Sequence, residues 1–385
     1  MLICNICVKS YDEESLLWRC PCGAPLSLDK SFSMNRGMID NKYHGLWRYH
    51  KALPVGDASN AVKIGEQLTP LVRRCWNGND IYFKYEIMPT GSYKDRGVAV
   101  MLNRLRELGV KSVYEDSSGN AGASIAGYCA AAEMPCEVLV PESTSRGKCV
   151  QIEAYGAALT KVPGPRNATS RRAEERGADT RNGENIYASH NWSPYFAHGV
   201  KTWGFEVWEQ LASFGEITPD AVIVPAGQGS LILGAWHAFS ELLRGGAVKK
   251  IPRIYAVQGS SCSPLYNAWS QGLESVPDGE PPSGKCMAEG IVSTHIIRGT
   301  ELLKAVRGSG GAVVTADDEK TAGALLKLAK MGLYVEPTSA VAAAAIDELY
   351  ASGDILPGEC AAVLLSSSGL KTTPYIQEIL DGRKN

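Results

Sequence analysis

The sequence predicts an α/β protein whose parallel sheets are covered by helices. From about residue 96 onward, short apolar runs rich in β-branched residues alternate with longer segments of helical period. Helical segments between strands are the connections that parallel strands need. The predicted strands are 112–114, 137–140, 186–188, 221–224, 254–257 and 361–365. Ligands of such sheets bind where a strand ends and a helix begins, so these turns are the first place to look for function.

The helical segments have recognisable ends. Leu102, Leu105 and Leu108 recur at helical spacing, and Gly109 supplies a stop signal. Residues 321–331 repeat this pattern. The two segments therefore support the alternation of strands and helices.

Composition limits the class of protein. The chain has 385 residues, of which 44% are hydrophobic, enough for two domains and a small additional module. Its 39 basic and 41 acidic residues leave no positive excess for binding nucleic acid. The sequence has no signal-peptide pattern at its start and no run of about 18 apolar residues. We expect a cytoplasmic protein without membrane or nucleic-acid partners.

Residues 89–97 (PTGSYKDRG) place Lys94 at a turn before a helix, shortly after Gly91. The positive end of the helix dipole favours the neutral amine, which is the form that attacks an aldehyde. A solvated loop lysine is the alternative explanation of this motif when it is taken alone.

Residues 116–122 (DSSGNAG) form a turn between a predicted strand and a helix of small residues. Backbone N–H groups at a helix start, with two hydroxyls and a glycine, are suited to bind a carboxylate. Residues 225–231 (PAGQGSL) form a glycine-rich turn of the kind that holds a phosphate. This turn lacks the lysine of a nucleotide P-loop, and the chain lacks a dinucleotide fingerprint.

A fourth turn, residues 366–369 (SSSG), follows the last strand. A hydroxyl of this turn could bond to a heteroaromatic nitrogen and leave it unprotonated, whereas a carboxylate would keep it protonated. An ordinary turn or helix cap is the alternative explanation. The four turns thus supply a lysine, a carboxylate site, a phosphate site and a partner for a ring nitrogen. Pyridoxal phosphate (PLP) chemistry on an amino acid needs this set.

Several motifs resemble those of threonine synthases. Residues 91–97 (GSYKDRG) resemble the lysine motif of that family, and its later motifs follow in the same order at 117–122, 227–231, 336–340 and 368–371. The resemblance covers about residues 60–375. It implies PLP fold type II, the fold of the tryptophan synthase β subunit, with two open, twisted, mostly parallel sheets covered by helices, and a homodimer.

The resemblance also implies roles for individual residues. Lys94 would hold the cofactor as an imine and act as the catalytic base, Asn120 would meet the ring hydroxyl, and Ser366 the ring nitrogen. The residues implied for the cofactor phosphate are Gly227, Gln228, Gly229, Ser230 and Leu231. The residues implied for the substrate carboxylate are Ser117, Ser118, Gly119 and Ala121.

We expect three parts along the chain. Residues 1–30 form a cysteine-bearing extension like a zinc ribbon. Residues 31–97 and 204–385 form a large PLP-binding domain. Residues 98–203 form a small mobile domain that binds the substrate carboxylate.

Two positions depart from the threonine synthase pattern. Ala121 stands where the family usually has threonine, and Phe196 stands where we expect the arginine that grips the phosphate of phosphohomoserine. An apolar ring cannot replace a bidentate guanidinium. Residues 288–291 (AEGI) look more like an element of serine and threonine dehydratases. Phosphohomoserine is therefore in doubt as the substrate.

Three functions remain open. The first is a threonine synthase-like PLP lyase or replacement enzyme that acts on a small amino acid. The second is a serine or threonine dehydratase or a diaminopropionate ammonia-lyase, which would release a 2-oxo acid. The third is a regulatory protein that binds PLP or a metabolite without catalysis.

The eleven cysteines divide into two groups. Seven are scattered without the spacing of a disulfide framework, which is typical of reduced cytoplasmic thiols. The other four form two close pairs that could hold a structural zinc ion: Cys4, Cys7, Cys20 and Cys22. The alternative is a ribbon whose thiols are free or only partly bound.

Overall fold

The computed structural model describes residues 1–177, 183–216, 218–282, 284 and 286–382. The chain divides into two compact units. The first unit comprises Met1–Phe32, Gly37–Gln67 and Lys94–Val200. The second comprises Ser33–Arg36, Leu68–Tyr93 and the described part of Lys201–Asn385.

The first unit begins with a small antiparallel sheet. Its strands are β1 (Leu2–Cys4), β2 (Ser10–Tyr11) and β3 (Leu26–Leu28), in the order β2-β1-β3. The backbone turns tightly at Gly23, where φ is 93°. This is the cysteine-bearing part of the chain. A 3-10 helix, Gly45–Ala52, follows later in the same unit.

A four-stranded parallel sheet forms the main part of the first unit, in the order β8-β7-β6-β9. The strands are β6 (Val113–Glu115), β7 (Cys136–Pro141), β8 (Ala158–Val162) and β9 (Ile186–Tyr187). The helices are α1 (Lys94–Glu107), α2 (Asn120–Ala131), α3 (Arg146–Ala154), α4 (Arg166–Arg176) and α5 (Phe196–Val200). The small residues of α2 are mostly buried, which allows close packing of its backbone.

The second unit contains a six-stranded sheet in the order β12-β11-β10-β13-β5-β4. Its strands are β4 (Leu71–Trp76), β5 (Asn79–Tyr85), β10 (Ala221–Pro225), β11 (Arg253–Gly259), β12 (Ala312–Ala316) and β13 (Ala361–Leu365). All neighbouring strands are parallel except the edge strand β4, which is antiparallel to β5. The central strands β10 and β13 are buried along their whole length, as expected for a sheet covered on both faces.

Helices accompany this sheet. They are α6 (Thr202–Leu211), α7 (Ser230–Arg244), α8 (Pro264–Ser270), α9 (Gly299–Gly308), α10 (Asp318–Lys330), α11 (Pro337–Ala344), α12 (Ile346–Ala351) and α13 (Thr373–Gly382). Apolar residues of the sheet and of α10, α11 and α12 form one buried cluster that includes Phe83, Ile223, Leu325, Val341 and Val363. Burial of these side chains is the main source of stability in this unit.

A hairpin joins β4 and β5. Asn77 and Gly78 lie at its tip with φ angles of 49° and 89°, the left-handed values that a two-residue hairpin turn of this kind requires. The hairpin places the end of β5 beside β13 and leads the chain toward Tyr93.

The predicted fold class is confirmed. The two larger sheets are mostly parallel and accompanied by helices, and a small cysteine-bearing sheet precedes them. Among the described residues, no helix combines the length and the apolar character needed to cross a membrane.

Candidate active site

The glycine-rich turn of the second unit connects β10 to α7. Gly229 caps the helix with a φ angle of 79°. A Cβ atom on Gly229 would lie 2.3 Å from Cδ1 of Leu302, and one on Gly227 would lie 3.0 Å from Cα of Ile291. Position 229 therefore needs glycine, whereas a side chain at position 227 would require a small shift of Ile291. The turn brings the start of a 15-residue helix to the carboxyl edge of the sheet, an arrangement suited to a phosphate.

The other residues of this turn face different surroundings. The side-chain amide of Gln228 donates to Oγ of Ser293 at 2.7 Å and to the carbonyl of His295 at 2.6 Å. The side chain of Gln228 is therefore bound to residues 293–295, and Gln228 presents its backbone groups at the turn. Ser230 and Leu231, both buried, form the first turn of α7.

Ser366 directly follows β13, the parallel neighbour of β10. Since the carboxyl ends of parallel strands lie at one edge, Ser366 and the glycine-rich turn share that edge of the sheet. The Ser366 side chain is buried, and its Oγ lies 3.1 Å from Oγ of Ser339 on α11. Ser339 also accepts a hydrogen bond from the backbone N–H of Ser367 at 3.0 Å. Ser339 therefore orients the Ser366 hydroxyl.

Tyr93 connects these two elements within the second unit. Its backbone N–H donates to the carbonyl of Ser366 at 2.9 Å, and its hydroxyl lies 2.9 Å from Oγ of Ser230. Tyr93 is the residue before the predicted cofactor lysine. The second unit therefore fixes the chain up to the peptide bond that leads to Lys94.

In the first unit, Lys94 is the first residue of α1, and its Nζ lies 5.5 Å from the centroid of the Phe196 ring. Phe196 is buried and packs against the backbone of α1, since a Cβ on Gly97 would lie 2.3 Å from its Cε2. The residue that departs from the threonine synthase pattern is thus a neighbour of the predicted catalytic lysine.

The predicted carboxylate turn follows β6 and begins α2. Ser117 Oγ accepts a hydrogen bond from the N–H of Gly119 at 3.3 Å. A Cβ on Gly122 would lie 1.9 Å from the carbonyl oxygen of Ser117, so only glycine fits there. Ser118 is half-buried between these residues, while Asn120 and Ala121 open the helix. The structure therefore gathers the residues predicted for the carboxylate at one helix start.

Asp116 precedes this turn and is fully buried with three partners. Tyr187 donates to Oδ1 at 2.9 Å, and Arg166 and Ser170 donate to Oδ2 at 2.9 and 2.7 Å. Burial opposes ionisation, but the charge of Arg166 and the bond from Ser170 outweigh it and lower the pKa of Asp116 to about 2. The turn is therefore anchored by a carboxylate that stays ionised.

The pKa of Glu115, one residue earlier, shifts in the opposite direction. Its Oε1 lies 2.9 Å from Nδ1 of His190, and its Oε2 accepts from the backbone N–H of His190 at 3.2 Å. Burial and the charge of Asp116 raise the pKa of Glu115, while burial and the charge of Lys94 lower the pKa of His190. Both shifts favour the uncharged forms, a protonated carboxyl group and a neutral imidazole.

The sequence assigns no role to four residues that contact predicted site residues or their neighbours within the same unit: Glu115 and His190 in the first unit, and Tyr93 and Ser339 in the second. His190 comes shortly after the predicted strand 186–188, so the strand-end rule could have identified it. Glu115 likewise ends β6. No sequence signal indicates Ser339, because its role depends on the contact of α11 with residues 366–367.

The four N-terminal cysteines lie together in the first unit. Their sulfur atoms are all within 4.8 Å of one another. Sγ of Cys4 is 3.5 Å from Sγ of Cys22, and Sγ of Cys7 is 3.5 Å from Sγ of Cys20. Four thiolates around a tetrahedral zinc ion, each about 2.3 Å from the metal, would be separated by about 3.8 Å. The donor set and its spacing therefore fit zinc.

The chain is similar to known proteins over most of its length. A profile of the family described as pyridoxal-phosphate dependent enzyme matches residues 62–367. The threonine synthase of Methanocaldococcus jannaschii is 31% identical over 382 residues, covering 96% of this chain and 92% of the relative. The solved processed form of threonine deaminase isoform 2 from Solanum lycopersicum superposes with a TM-score of 0.68 at 19% identity, covering 93% of this chain and 97% of that one.

A second solved structure supports the same fold. Diaminopropionate ammonia lyase from Escherichia coli superposes with a TM-score of 0.69 at 14% identity, covering 83% of this chain and 89% of that one. Fold, sequence profile and strand-end turns define a PLP-dependent enzyme of fold type II. The chain belongs to the pyridoxal-phosphate dependent enzyme family, and its similarity to threonine synthases confirms the predicted lyase class and PLP as its cofactor.

Proposed function

We propose that this protein removes a substituent from the side chain of a small amino acid, as threonine synthases do, but that this substituent is not a phosphate. The main support for this proposal is the position of Phe196 beside Lys94. An apolar ring near the catalytic amine suits a substrate whose leaving group is uncharged or small.

The residues present fit PLP. Gly227 and Gly229 carry no side chain that would cover the turn, and a Cβ atom would crowd Ile291 at the first position and collide with Leu302 at the second, so the turn suits close approach of a phosphate to its backbone. We propose that residues 227–231 bind this phosphate, that Asn120 meets the ring hydroxyl and that Ser366 bonds to the ring nitrogen. Since Ser366 offers a hydroxyl, that nitrogen would stay unprotonated.

The residues of the first unit would act on the substrate. Ser117, Ser118, Gly119 and the start of α2 at Ala121 would bind its carboxylate. Bound PLP supplies the electron sink that makes the α-proton removable. Lys94 would hold the cofactor, and its Nζ would take the α-proton of the substrate.

Phosphohomoserine does not suit this arrangement. Arg166, a cation close to the carboxylate turn, already donates to Asp116 and Ser170. Phe196 cannot bind a dianion. A β- or γ-substituent such as a hydroxyl or an amine is therefore the proposed leaving group.

A second candidate is simple elimination with release of a 2-oxo acid, as in a dehydratase or an ammonia-lyase. Phe196 and Ala121 favour it, because both depart from the pattern of enzymes that handle phosphohomoserine. The regulatory alternative lacks such an observation, because Lys94 is intact and its surroundings suit catalysis.

Absorption spectroscopy and product analysis test the proposal. Purified protein reconstituted with PLP should show a visible band that is lost in Lys94→Ala and kept in the control Lys111→Ala, since Lys111 is exposed. Serine, threonine, 2,3-diaminopropionate and phosphohomoserine are then added separately. We expect turnover of one of the first three and little release of phosphate from the fourth. Efficient phosphate release would overturn the substrate proposal, and a missing band in the wild type would overturn the cofactor assignment.

We also propose that Cys4, Cys7, Cys20 and Cys22 hold one structural zinc ion. Metal analysis of the purified protein should find about one zinc per chain. Cys20→Ser should lose it, whereas Cys75→Ser should keep it, because Cys75 is exposed on β4. Equal zinc content in both variants would contradict the assignment.

We propose that residues 31–97 and 204–385 bind the cofactor, that residues 98–203 move when the substrate carboxylate binds, and that residues 1–30 form the zinc-binding extension. We also propose a cytoplasmic homodimer. Light scattering of the purified protein tests the dimer.

A further inference from the structure

The Glu115–His190 pair lies beside two residues with proposed roles in the reaction. Glu115 ends β6 two residues before the carboxylate turn. The neighbouring parallel strand β9 leads to His190, which binds Glu115 through both its backbone and its ring. His190 therefore lies at the same strand edge as the turn that begins at Ser117.

Phe196 connects this pair to the catalytic amine. Its ring centroid is 5.7 Å from that of His190 and 5.5 Å from Nζ of Lys94. A substrate held by its carboxylate at the Ser117 turn, with its α-carbon near Lys94, would extend its side chain toward the part of this unit that holds Phe196 and His190. Of these two residues, His190 can give a proton.

We propose that His190, supported by Glu115, protonates the leaving group of the substrate. This inference rests on the proposed function. When the bond from the side-chain carbon to a hydroxyl oxygen breaks, its electron pair stays on the oxygen, and the electrons of the α-C–H bond form the new carbon–carbon double bond. The proton on Nε2 of His190 passes to that oxygen and gives water.

The proton on Glu115 then replaces the one that His190 has lost, because Oε1 faces Nδ1 at 2.9 Å. Glu115 becomes a carboxylate while Lys94 gains the α-proton, so the net charge of the protein does not change. Asp116 does not compete as a donor, since it is ionised and accepts bonds from Tyr187, Arg166 and Ser170. An uncharged donor pair suits a hydroxyl leaving group, which needs a proton to depart as water.

A comparison of leaving groups tests this role. Serine and threonine lose a hydroxyl that must be protonated, whereas β-chloroalanine loses chloride, which needs no proton. In His190→Asn we expect kcat for the hydroxyl substrate to fall on the order of 100-fold, and kcat for β-chloroalanine to fall less than about threefold. Glu115→Gln should give the same selectivity with a fall of roughly tenfold, while KM changes little for both substrates.

Controls separate this role from a structural one. The visible cofactor band should persist in both variants, and His44→Asn should behave like the wild type, because His44 is exposed. Equal losses on both substrates, or no loss on the hydroxyl substrate, would overturn the inference. Wild-type turnover of β-chloroalanine without turnover of serine or threonine would also overturn it. A wild-type protein that binds PLP but releases product from no amino acid would instead overturn the proposed function.

Discussion

Two strand-to-helix turns of this protein are built in different ways. The glycine-rich turn after β10 is shaped by backbone conformation, with Gly229 at a positive φ and Gly227 against Ile291. The turn after β6 also requires a glycine, Gly122, but it is held mainly by side chains from distant parts of the sequence, since Asp116 binds Arg166 and Tyr187. The first turn suits a constant group such as a phosphate, and the second can change its chemistry through single substitutions.

The turn after β6 is also supported by the N-terminal segment of the chain. Trp18, from the cysteine-bearing segment, donates to the carbonyl of Gly177 at 2.8 Å and packs edge-on against Tyr187 and Trp192. Tyr187 is in turn a partner of Asp116. Within the first unit, the N-terminal segment therefore supports residues that hold the carboxylate turn.

Removal of Trp18 should cause the largest loss. Trp18→Ala leaves a cavity against Tyr187 and Trp192, and we expect the free energy of unfolding to fall by about 3–5 kcal/mol. Trp18→Phe keeps a ring but loses the bond to Gly177, which should cost about 1 kcal/mol. Chemical denaturation measures both. The soluble fraction of Trp18→Ala should bind PLP almost normally and bind amino acids weakly. A Trp18→Ala protein as stable as the wild type would show that the N-terminal segment does not support this turn.

The stability that Asp116 contributes depends on pH. The pKa of Asp116 is lowered to about 2 in the folded state, so its contribution to stability is complete above about pH 4 and is lost as the pH falls toward 2. Its size is roughly 2–3 kcal/mol. The stability difference between wild type and Asp116→Asn should therefore shrink in acid when unfolding is measured at several pH values.

Glu115 should show the opposite sign. Its pKa is raised in the folded state, mainly by burial, so its contribution is complete below its unfolded pKa and is lost as the pH rises. Glu115→Gln should gain stability relative to the wild type as the pH rises above about 4.5. Parallel pH curves for the two variants would contradict the different environments of these neighbouring carboxyl groups.

The contrast between the turns explains what the sequence could predict. The sequence predicts the glycine-rich turn and the turn at Ser366 because a local motif follows a recognisable strand in each case. The strand alternation was likewise enough for the fold class. Backbone geometry of this kind is encoded by neighbouring residues, chiefly by glycine where φ is positive.

The side-chain network was not predictable in the same way. Arg166 lies 50 positions after Asp116, and His190 lies 75 positions after Glu115. Such pairs form only because parallel strands bring distant turns to one edge, and one sequence without strand order does not show which turns meet. The Asn77–Gly78 hairpin, by contrast, carries a local signal that identifies its turn.

A substitution of Gly229 tests the glycine-rich turn after β10. Gly229→Ala puts a Cβ at a positive φ and against Leu302, and we expect it to weaken PLP binding by about 1–3 kcal/mol. Gly323→Ala is the control, since a Cβ there meets no atom within 4 Å in helix α10 and should stabilise the protein by about 0.5–1 kcal/mol. Titration with PLP measures the affinity. Unchanged affinity in Gly229→Ala would mean that this turn does not hold the phosphate.

The smallest effect is expected at Ser366. Its side-chain hydroxyl is the proposed cofactor contact at the sheet edge that also holds the glycine-rich turn. Ser366→Ala removes one neutral hydrogen bond to the ring nitrogen, so PLP affinity should fall by about 0.5–1.5 kcal/mol, whereas the exposed control Ser270→Ala should not change it. PLP titration and the position of the visible band report the result. If Ser366→Ala binds PLP as tightly as Ser270→Ala does, the second unit holds the cofactor through its backbone alone. The glycine-rich turn and its sheet edge would then bind through backbone groups alone, whereas the turn after β6 depends on side chains.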